Sequence, residues 1–469
     1  MEAPEYAAAR KAALETLNNS LCPRLDVLVH TNGSAAKLAR KLPRVHVYNW
    51  LDDFHEALLR SPSSNGYQDV WSGLNQVRKF ASSPRLCAAA QRPFSPPSHT
   101  AQFYSEVAFH RALLRSLGAS DGVVRWHPHE ADLFVVPFYS ILAWHNKTIQ
   151  RGMWDVLEAR LQSSPAWRRS GGCDHLFLIS STRASGDLFS PTLERLLRSA
   201  TLLRIDTRDE RKHKASNLLS SAPRQIAVPY YVARLATDEH SRRRDERPHS
   251  VCFEGSDTHP TRRALFELFR DFPGADVRAP AKLGRHGHVK RNPVCATRER
   301  MASCRFCLVP PGLTPTSRRL YEAIATRCVP VIVSDRFVVP FSELIGDAAL
   351  DQLVLRIPEA EVATAPRRVR EADEPESYAR RLAALEAHRE WFLYDDFLHS
   401  PGFPLTEGGW MPDGGWVPDG VWRPSVAQSW GMPPPTGKGR RREGAVPCSG
   451  ALCAMLVQAS RVISSNCSK

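Results

Sequence analysis

The sequence has no hydrophobic run long enough to cross a membrane. No window reaches 18 uninterrupted apolar residues, and the first twenty residues, MEAPEYAAARKAALETLNNS, do not join a basic start to an apolar core. A transmembrane helix needs about 20 mostly apolar residues, and a secretory signal has an apolar stretch of about 7–15 residues. The sequence therefore predicts no membrane span in this chain.

Recognition motifs for nucleic acid are also missing. The sequence shows no helix-turn-helix, zinc-finger or aromatic RNA-binding pattern. Its formal net charge of +14 favours anionic partners such as nucleotide sugars, acidic polysaccharides, nucleic acid or anionic lipid. The basic residues are scattered, with short runs at 242–244, 367–370 and 438–442. Without a recognition motif we expect no nucleic-acid partner, and we interpret these runs as solvated surface.

A metal-binding pattern is incomplete. Cys304 and Cys307 form a CxxC, but no second CxxC and no HxxxH pair accompanies it. We therefore predict no metal site, and we interpret the two cysteines as buried thiols or disulfide partners. The chain has eleven cysteines, which is compatible with an oxidising lumen, and the odd number leaves at least one free or intermolecular. Four N-x-S/T sequons give weak support to the same compartment.

Size and composition fit a globular protein with two domains. The chain has 469 residues, of which 42% are hydrophobic and 24% are charged. Strand-length and helix-length apolar patterns alternate in two stretches, and the charged segment ATDEHSRRRDERP separates them. We predict an α/β fold of two doubly wound sheets facing a cleft. The predicted segments are 1–43, an N-terminal lead-in; 44–235, an N-terminal α/β domain; 236–248, a linker; 249–396, a C-terminal α/β domain; and 397–469, a tail.

Apolar periodicity places the individual elements. The clearest helix is 103–117, and His110 on its apolar face is interpreted as packed rather than catalytic. Further helices are predicted at 261–271 and 375–388. The predicted strands cover 45–48, 133–138, 175–179, 201–205 and 225–229 in the first domain, and 251–254, 305–310, 329–335 and 353–357 in the second.

The tail has a different composition. The stretch GGWMPDGGWVPDGVWRP places Trp410, Trp416 and Trp422 at even spacing, and a basic PPPTGKGRRRE follows. Three short copies are too few for a repeat fold. We predict that the tail is disordered, and the alternative is a tryptophan platform that binds carbohydrate.

The most informative segment is 304–341, CRFCLVPPGLTPTSRRLYEAIATRCVPVIVSDRFVVPF. A strand-length apolar run ends in a Pro and Gly turn, and Thr316 or Ser317 then offers an N-cap oxygen. Apolar residues recur at helical spacing before a second strand-length run, so we predict a βαβ unit. Arg318 and Arg319 fall in the first turn of its helix, where a cation is unfavourable by about 0.3–1 kcal/mol unless an anion is bound.

Glu322 lies three residues after Arg319, on the same face of that helix. Helix N–H groups and guanidinium groups together suit a diphosphate, and the carboxylate could accept hydrogen bonds from ribose hydroxyls. The alternative is an exposed intrahelical Arg319–Glu322 ion pair, which contributes about 0.2–0.5 kcal/mol. Spacing alone does not decide between a nucleotide site and a surface pair.

The segment resembles the signature of the exostosin-type glycosyltransferases, glycosyltransferase family 47. The Ser, Arg and Glu of that signature match Ser317, Arg319 and Glu322, and Arg318 occupies a variable position. The other matches are Phe306, Cys307, Leu308, Gly312, Cys328, Pro330, Asp335, Pro340 and Phe341. Weaker matches upstream, such as HEADLFVVPFY, extend the resemblance to roughly residues 44–395.

The resemblance implies a GT-B type fold with two Rossmann-like domains, of which the N-terminal one is expected to hold the acceptor and the C-terminal one the nucleotide sugar. It also implies an inverting transfer of a sugar, from a UDP-sugar donor to a polysaccharide or glycoprotein glycan. The reaction that the resemblance implies requires no metal and no other cofactor. Gly312, Ser317, Arg319, Glu322 and Arg262 are expected to bind the nucleotide sugar, and Arg319 is expected to stabilise the departing diphosphate.

The catalytic base stays unassigned in the sequence. Glu130, Asp132 and Asp174 are the carboxylates considered, and each could equally pair with an arginine or cap a helix. Asn49 and Gln225 depart from the family pattern, which often has Asp at both positions. These departures motivate the alternative of a catalytically silent, glycan-binding relative.

The resemblance also implies a location. Family members usually carry an N-terminal signal anchor and a catalytic domain in the Golgi lumen, so a type II membrane protein is expected, with oligomers with other glycosyltransferases as a further expectation. The anchor is not visible here, which fits an incomplete start, a soluble form or a genuine departure, and we favour the first.

Overall fold

The computed structural model describes residues 43–60, 105–116, 127–181, 185–206, 222–232, 247–279, 282–283, 288–289, 294–394 and 450–466. The predicted lead-in, most of the linker at 236–248 and the tryptophan-rich part of the tail lie outside the described residues. The domain limits therefore stay predictions.

The first half of the chain forms a five-stranded parallel sheet. Its strands lie side by side in the order in which they occur in the sequence. All five coincide with strands predicted from apolar periodicity. They are β1 (Val45–Val47), β2 (Leu133–Val135), β3 (His175–Ile179), β4 (Thr201–Arg204) and β5 (Gln225–Ala227).

Helices connect these strands, and local sequence sets where several of them begin. The side chain of Ser164 accepts the backbone N–H of the third residue of the helix that follows it, and Ser190 does the same. A proline, Pro165 or Pro191, occupies the first position of each of these helices. The predicted helix at 103–117 is confirmed over Ser105–Ser116. The helices of this half are Asp52–Arg60, Ser105–Ser116, Ser140–His145, Lys147–Ser163, Pro165–Ser170, Ser185–Leu188 and Pro191–Leu197.

The second half forms another five-stranded parallel sheet, in the order β12-β11-β10-β6-β7. A short antiparallel pair, β8 (Lys282–Leu283) and β9 (His288–Val289), lies outside it. The sheet's strands are β6 (His249–Glu254), β7 (Ala275–Arg278), β10 (Cys304–Val309), β11 (Val329–Ile332) and β12 (Leu355–Arg356). Of these, β7 was not predicted from the sequence, because its polar composition hides the strand pattern.

The connections of this sheet reverse direction between β6 and β10. The chain runs from β6 to its neighbour β7, then crosses to the opposite side of β6 and continues through β10, β11 and β12. In open parallel sheets, the crevice at the carboxyl ends of the strands on either side of such a reversal binds ligands. The strand order therefore directs attention to the residues that follow β6 and β10.

Helices again separate the strands of the second half. The predicted helices at 261–271 and 375–388 are confirmed at Pro260–Leu268 and Pro375–His388. The remaining α-helices are Val294–Ala302, Arg319–Ala325, Ser342–Ile345, Asp347–Leu353 and Ala365–Ala372, and the 3-10 helices are Glu359–Thr364 and Arg389–Phe392. Two parallel sheets with connecting helices confirm the predicted α/β fold class with two Rossmann-like units.

One hydrophobic core joins the two halves. Leu203 of β4 and Ile226 of β5 belong to the same buried cluster as Ile324 and Ile332 of the second sheet. A second cluster, which includes Val251, covers the other face of the second sheet. The two halves of the protein therefore share one buried apolar core.

The helix Gly450–Asn466 completes this shared core. Leu452, Met455, Leu456 and Ala459 are buried at helical spacing, and the helix packs against Ser105–Ser116, β4 and the 3-10 helix Arg389–Phe392. From its sequence, this stretch is predicted to be part of a disordered tail. The helix escaped prediction because its apolar stripe is short and lies beyond a long Gly and Pro-rich stretch.

Disulfides bind the strands of the second sheet. Cys252 pairs with Cys304, and Cys307 pairs with Cys328, so the two cysteines of the CxxC bond to different partners. All four are buried in one cluster. Cys173 is also disulfide-bonded. The disulfide interpretation of the CxxC is thus confirmed.

Candidate functional site

The guanidinium group of Arg262 lies between the loops that follow β6 and β10, where the strand order of the second sheet reverses. This arginine lies in the helix Pro260–Leu268, which follows β6. Its Nε donates to the carbonyl oxygen of Pro311 at 2.7 Å, and its Nη1 donates to the carbonyl oxygen of Ser256 at 3.0 Å. One side chain therefore ties the loop after β10 to the loop after β6.

Gly312 allows this close approach. A Cβ atom at residue 312 would lie 3.1 Å from Nη2 of Arg262, tighter than ordinary contacts. Gly255, in the loop after β6, is similarly close, because a Cβ there would lie 3.1 Å from Nη1 of the same arginine. The guanidinium group thus lies between two glycines, against backbone that a larger residue would push away.

Arg319 reaches the same point from the helix Arg319–Ala325. Its Nη2 donates to the carbonyl oxygen of Glu254, the last residue of β6, at 3.0 Å. Its Nη1 lies 2.7 Å from Oε2 of Glu322. The side chain is 22% exposed, so it meets solvent while Glu322, at 2%, does not.

Glu322 holds two arginines at once. Its Oε1 lies 3.0 Å from Nε of Arg318, and its Oε2 pairs with Arg319. Burial acts to raise the pKa of this carboxyl, but the charges of Arg318, Arg319 and Arg298 outweigh it, so the pKa is lowered and the group stays ionised. The intrahelical pair considered from the sequence exists, but it is buried rather than exposed.

Positive charge exceeds negative charge around Glu322. Burial, and next the charge of Arg319, lower the pKa of Arg262 to about 10. Burial likewise lowers the pKa of Arg318, although Glu322 acts to raise it. Arginines that repel one another in a partly dehydrated place are stabilised by a bound anion.

Ser317 and Thr316 have different roles from the predicted N-cap. The helix begins at Arg319, and its N-cap residue is Arg318 without a side-chain cap. The Ser317 Oγ accepts the backbone N–H of Arg319 at 3.3 Å. The Thr316 Oγ1 instead donates to Oδ2 of Asp206 in the first half of the protein. All five residues predicted to bind the nucleotide sugar therefore gather at the ends of β6 and β10.

The three carboxylates considered as a base lie elsewhere. Glu130, Asp132 and Asp174 all precede β2 or β3, and so lie at the amino edge of the first sheet. Asp132 is paired with Arg44 at 2.7 Å, and Asp174 accepts from His175 Nδ1 at 2.7 Å. Ligand crevices of parallel sheets form at the opposite, carboxyl edge.

Two buried carboxyl groups at the carboxyl edge were not predicted. Asp206 lies two residues after the end of β4 and is 1% exposed. Glu106, from the helix Ser105–Ser116, accepts from Oγ of Ser140 at 2.6 Å and from the backbone N–H of Ser180 at 2.9 Å, beyond the ends of β2 and β3. Burial raises the pKa of Glu106 to about 7. The acidic residue directly after a predicted strand was the available signal for Asp206, whereas nothing in the sequence places Glu106 there.

The sequence model of the exostosin GT47 domain matches residues 39–372, which include both sheets and every residue of this site. The chain belongs to the exostosin GT47 family. The match extends over more than two thirds of the sequence, so the family resemblance reaches far beyond segment 304–341.

Plant proteins are among the relatives of this exostosin GT47 chain. It is 30% identical over 271 residues to the probable glucuronosyltransferase GUT1 of Oryza sativa subsp. japonica, with 52% of this chain and 58% of the relative covered. It is 27% identical over 266 residues to the probable glucuronoxylan glucuronosyltransferase IRX7 of Arabidopsis thaliana, with 51% and 55% covered. It is 27% identical over 237 residues to the probable arabinosyltransferase ARAD1 of Arabidopsis thaliana, with 46% and 48% covered. The chain thus spans about half the length of these relatives.

A solved structure of the glycotransferase of kitacinnamycin matches with a TM-score of 0.25 and 14% identity, covering 74% of this chain and 95% of that one. That degree of likeness does not establish the fold, which rests on the strand orders above. In the described parts of the chain, no helix is long and apolar enough to cross a membrane. Within the same residues, no group of three or more His, Cys, Asp or Glu side chains is placed to hold a metal ion.

Proposed function

We propose that the protein transfers a sugar from a UDP-sugar donor to a polysaccharide or glycoprotein glycan, with inversion at the anomeric carbon. The observation that supports this most directly is the convergence of Arg262 and Arg319 at the reversal point of the second sheet. Exostosin GT47 membership supports the reaction class, and the curated relatives are named as probable glucuronosyl- and arabinosyltransferases.

In this proposal the arginines stabilise the leaving diphosphate. Arg319 is partly exposed and anchored to Glu254, so its charge is fixed at the edge where the donor would lie. Arg262 adds a second positive charge and holds the Gly312 loop beside it. Such preorganised cations neutralise charge that develops in the transition state without further rearrangement.

Ser317 and Glu322 support these cations. The Ser317 hydroxyl fixes the first N–H of the helix, and Glu322 orients Arg318 and Arg319 through both of its oxygens. A ribose contact by the Glu322 carboxylate stays a prediction. A base that takes the proton of the acceptor hydroxyl belongs at the carboxyl edge of the first sheet, where Asp206 and Glu106 lie.

The Golgi lumen is the proposed compartment. Disulfides persist in oxidising compartments, and two of them cross-link the sheet that carries the site. Anchoring as a type II membrane protein and assembly with other glycosyltransferases complete the proposal.

Calorimetric titration of UDP into the full chain tests the nucleotide site, with ADP and GDP as controls. Arg319→Ala is expected to weaken UDP binding by at least about tenfold, because it removes a charge-assisted contact of about 1.5–3 kcal/mol. Arg367→Ala is the matched control, since Arg367 forms an exposed i,i+4 pair with Glu371.

The outcomes of this titration separate two functions. Selective UDP binding that Arg319→Ala abolishes and Arg367→Ala leaves unchanged supports the transferase. No binding of any nucleoside diphosphate by the folded protein overturns it and favours the silent, glycan-binding relative. Equal UDP affinity of a folded Arg319→Ala variant overturns the role given to that residue.

A further inference from the structure

A buried hydrogen bond connects the two sheets beside the candidate site. Thr316 lies in the loop between β10 and the helix Arg319–Ala325, and is 6% exposed. Its Oγ1 donates to Oδ2 of Asp206 at 3.0 Å. Asp206 follows the last residues of β4, so the bond joins the carboxyl edge of the first sheet to the loop that leads to the arginines.

A second group from the first half contacts the same hydroxyl. The Tyr230 hydroxyl, just beyond β5, lies 3.2 Å from Oγ1 of Thr316. A carboxylate only accepts and a hydroxyl carries one proton, so Thr316 donates to Asp206 and accepts from Tyr230. The threonine hydroxyl is therefore held by two residues of the first half, one after β4 and one after β5.

The loop around Thr316 is also fixed from its own side. The Ser334 Oγ, which follows β11, donates to the carbonyl oxygen of Pro315 at 3.1 Å. On the other side of Thr316, the Ser317 Oγ accepts the N–H of Arg319. The position of Thr316 thus sets where the chain enters the turn that carries Arg318 and Arg319.

We propose that Asp206 is a positioning residue for the nucleotide site, acting through Thr316 on the loop that presents Arg319. This inference rests on the proposed function. A buried hydrogen bond to a carboxylate is stronger than one between two neutral groups, so its loss removes a strong restraint on the loop. Without it the loop gains freedom that nucleotide binding must remove, so affinity falls although the fold remains.

The inference gives the first sheet a part in donor binding. Asp206 and Tyr230 both lie in the half that is expected to hold the acceptor, whereas the arginines lie in the other half. Donor affinity therefore depends on how the two halves are positioned relative to each other, as well as on the arginines themselves.

The test compares Thr316→Val with Thr316→Ser in the full chain. Valine keeps the shape of the side chain and removes the hydroxyl, whereas serine retains the hydroxyl. We expect Thr316→Val to weaken UDP binding about fivefold or more and Thr316→Ser to change it less than about twofold, as the loss of one charge-assisted bond predicts. Thr364→Val is the control, since the Thr364 hydroxyl donates within its own 3-10 turn to the carbonyl oxygen of Glu361.

Thermal unfolding measured on the same samples distinguishes positioning from general stability. The proposal is supported if UDP affinity falls in Thr316→Val while its Tm stays within a few degrees of Thr364→Val, and Thr316→Ser restores the affinity. It is overturned if folded Thr316→Val binds UDP as the wild type does, or if Thr316→Ser is as weak as Thr316→Val.

UDP binding by Asp206→Asn gives a second test if Thr316→Val fails to fold. UDP binding by the wild type shows whether a failure lies in the proposed function itself. Asp206→Asn keeps an oxygen that can accept from Thr316 but removes the charge, and we expect an affinity between those of wild type and Thr316→Val. Wild-type affinity in Asp206→Asn overturns the role of the carboxylate. Absence of UDP binding in the folded wild type overturns the proposed function, and the positioning role with it, whereas normal wild-type binding confines any failure to the positioning role.

Discussion

The guanidinium group of Arg319 donates to the carbonyl oxygen of Glu254 at 3.0 Å, and so ties the helix after β10 to the end of β6. These two strands are the ones between which the order of the second sheet reverses. The cation is therefore fixed by backbone at the place where parallel sheets bind ligands.

Gly312→Ala is expected to weaken UDP binding by roughly threefold to tenfold, because a small displacement of a binding group is costly. The added methyl group would meet Nη2 of Arg262, whose Nε and Nη1 donate to two carbonyl oxygens that hold the side chain in place. Calorimetry in a double-mutant cycle with Arg262→Ala checks the cause. If Gly312→Ala lowers affinity equally with and without Arg262, the steric explanation is wrong.

Glu322→Gln is expected to destabilise the folded protein by about 3–5 kcal/mol, since it removes the buried counter-charge of two partly buried arginines. Glu371→Gln, which breaks the exposed pair with Arg367, should cost less than about 1 kcal/mol. Chemical denaturation at neutral pH measures both. Similar losses in the two variants would contradict the buried character of the Glu322 pair.

The contribution of Glu322 to the stability of the folded protein should also decrease as pH falls. The pKa of Glu322 is lowered in the folded state, so its contribution to stability is present above the unfolded pKa and is lost as pH falls through the folded pKa. The stability difference between wild type and Glu322→Gln should therefore shrink in acid, and a constant difference across the acid range would refute this reading.

Glu106 should show the opposite pH dependence. Burial raises its pKa from 4.5 to about 7, so the folded state favours the protonated acid. The contribution of Glu106 to the free energy of unfolding is fully present below pH 4.5. It is lost as pH rises through the folded pKa, by up to about 3 kcal/mol. Glu106→Gln imitates the protonated acid, and we expect it to be more stable than the wild type above pH 7. Equal stability of the two proteins at pH 8 would show that Glu106 is ionised in the fold at little cost.

The Cys307–Cys328 disulfide encloses the loop and helix that carry Gly312, Arg319 and Glu322. Its sequence separation is 21 residues. Cross-linking a loop of this length stabilises a protein by about 3 kcal/mol in the chain-entropy description. Cys307→Ala with Cys328→Ala should therefore lower Tm and weaken UDP binding, and dithiothreitol should do the same to the wild type. An unchanged Tm under full reduction, verified by thiol titration, would contradict this.

Much of the site was predictable because it lies in one contiguous segment. Ser317, Arg319 and Glu322 are neighbours in sequence, and the apolar runs on either side give the βαβ unit from local periodicity alone. Most strands of both sheets were predictable for the same reason. Their buried apolar runs are separated by clear turn residues.

Other features depend on pairings that no local pattern encodes. Thr316 and Asp206 are far apart in the sequence, and their bond exists only because the two sheets pack together. Glu106 reaches the carboxyl edge of the first sheet from a helix, so strand-end reasoning does not find it. The pairing of Cys252 with Cys304 and of Cys307 with Cys328 is one of many that eleven cysteines permit.

The C-terminal helix Gly450–Asn466 has a consequence for how the protein is made. The helix packs on β4 and on the helix Ser105–Ser116, which leave the ribosome long before it does. At about 5–20 residues per second, the early half waits on the order of tens of seconds for its last packing partner. During that interval its apolar surface is exposed, so the nascent chain is expected to need chaperones. Translation that stops before residue 450 should yield a product that quality control recognises as unfolded.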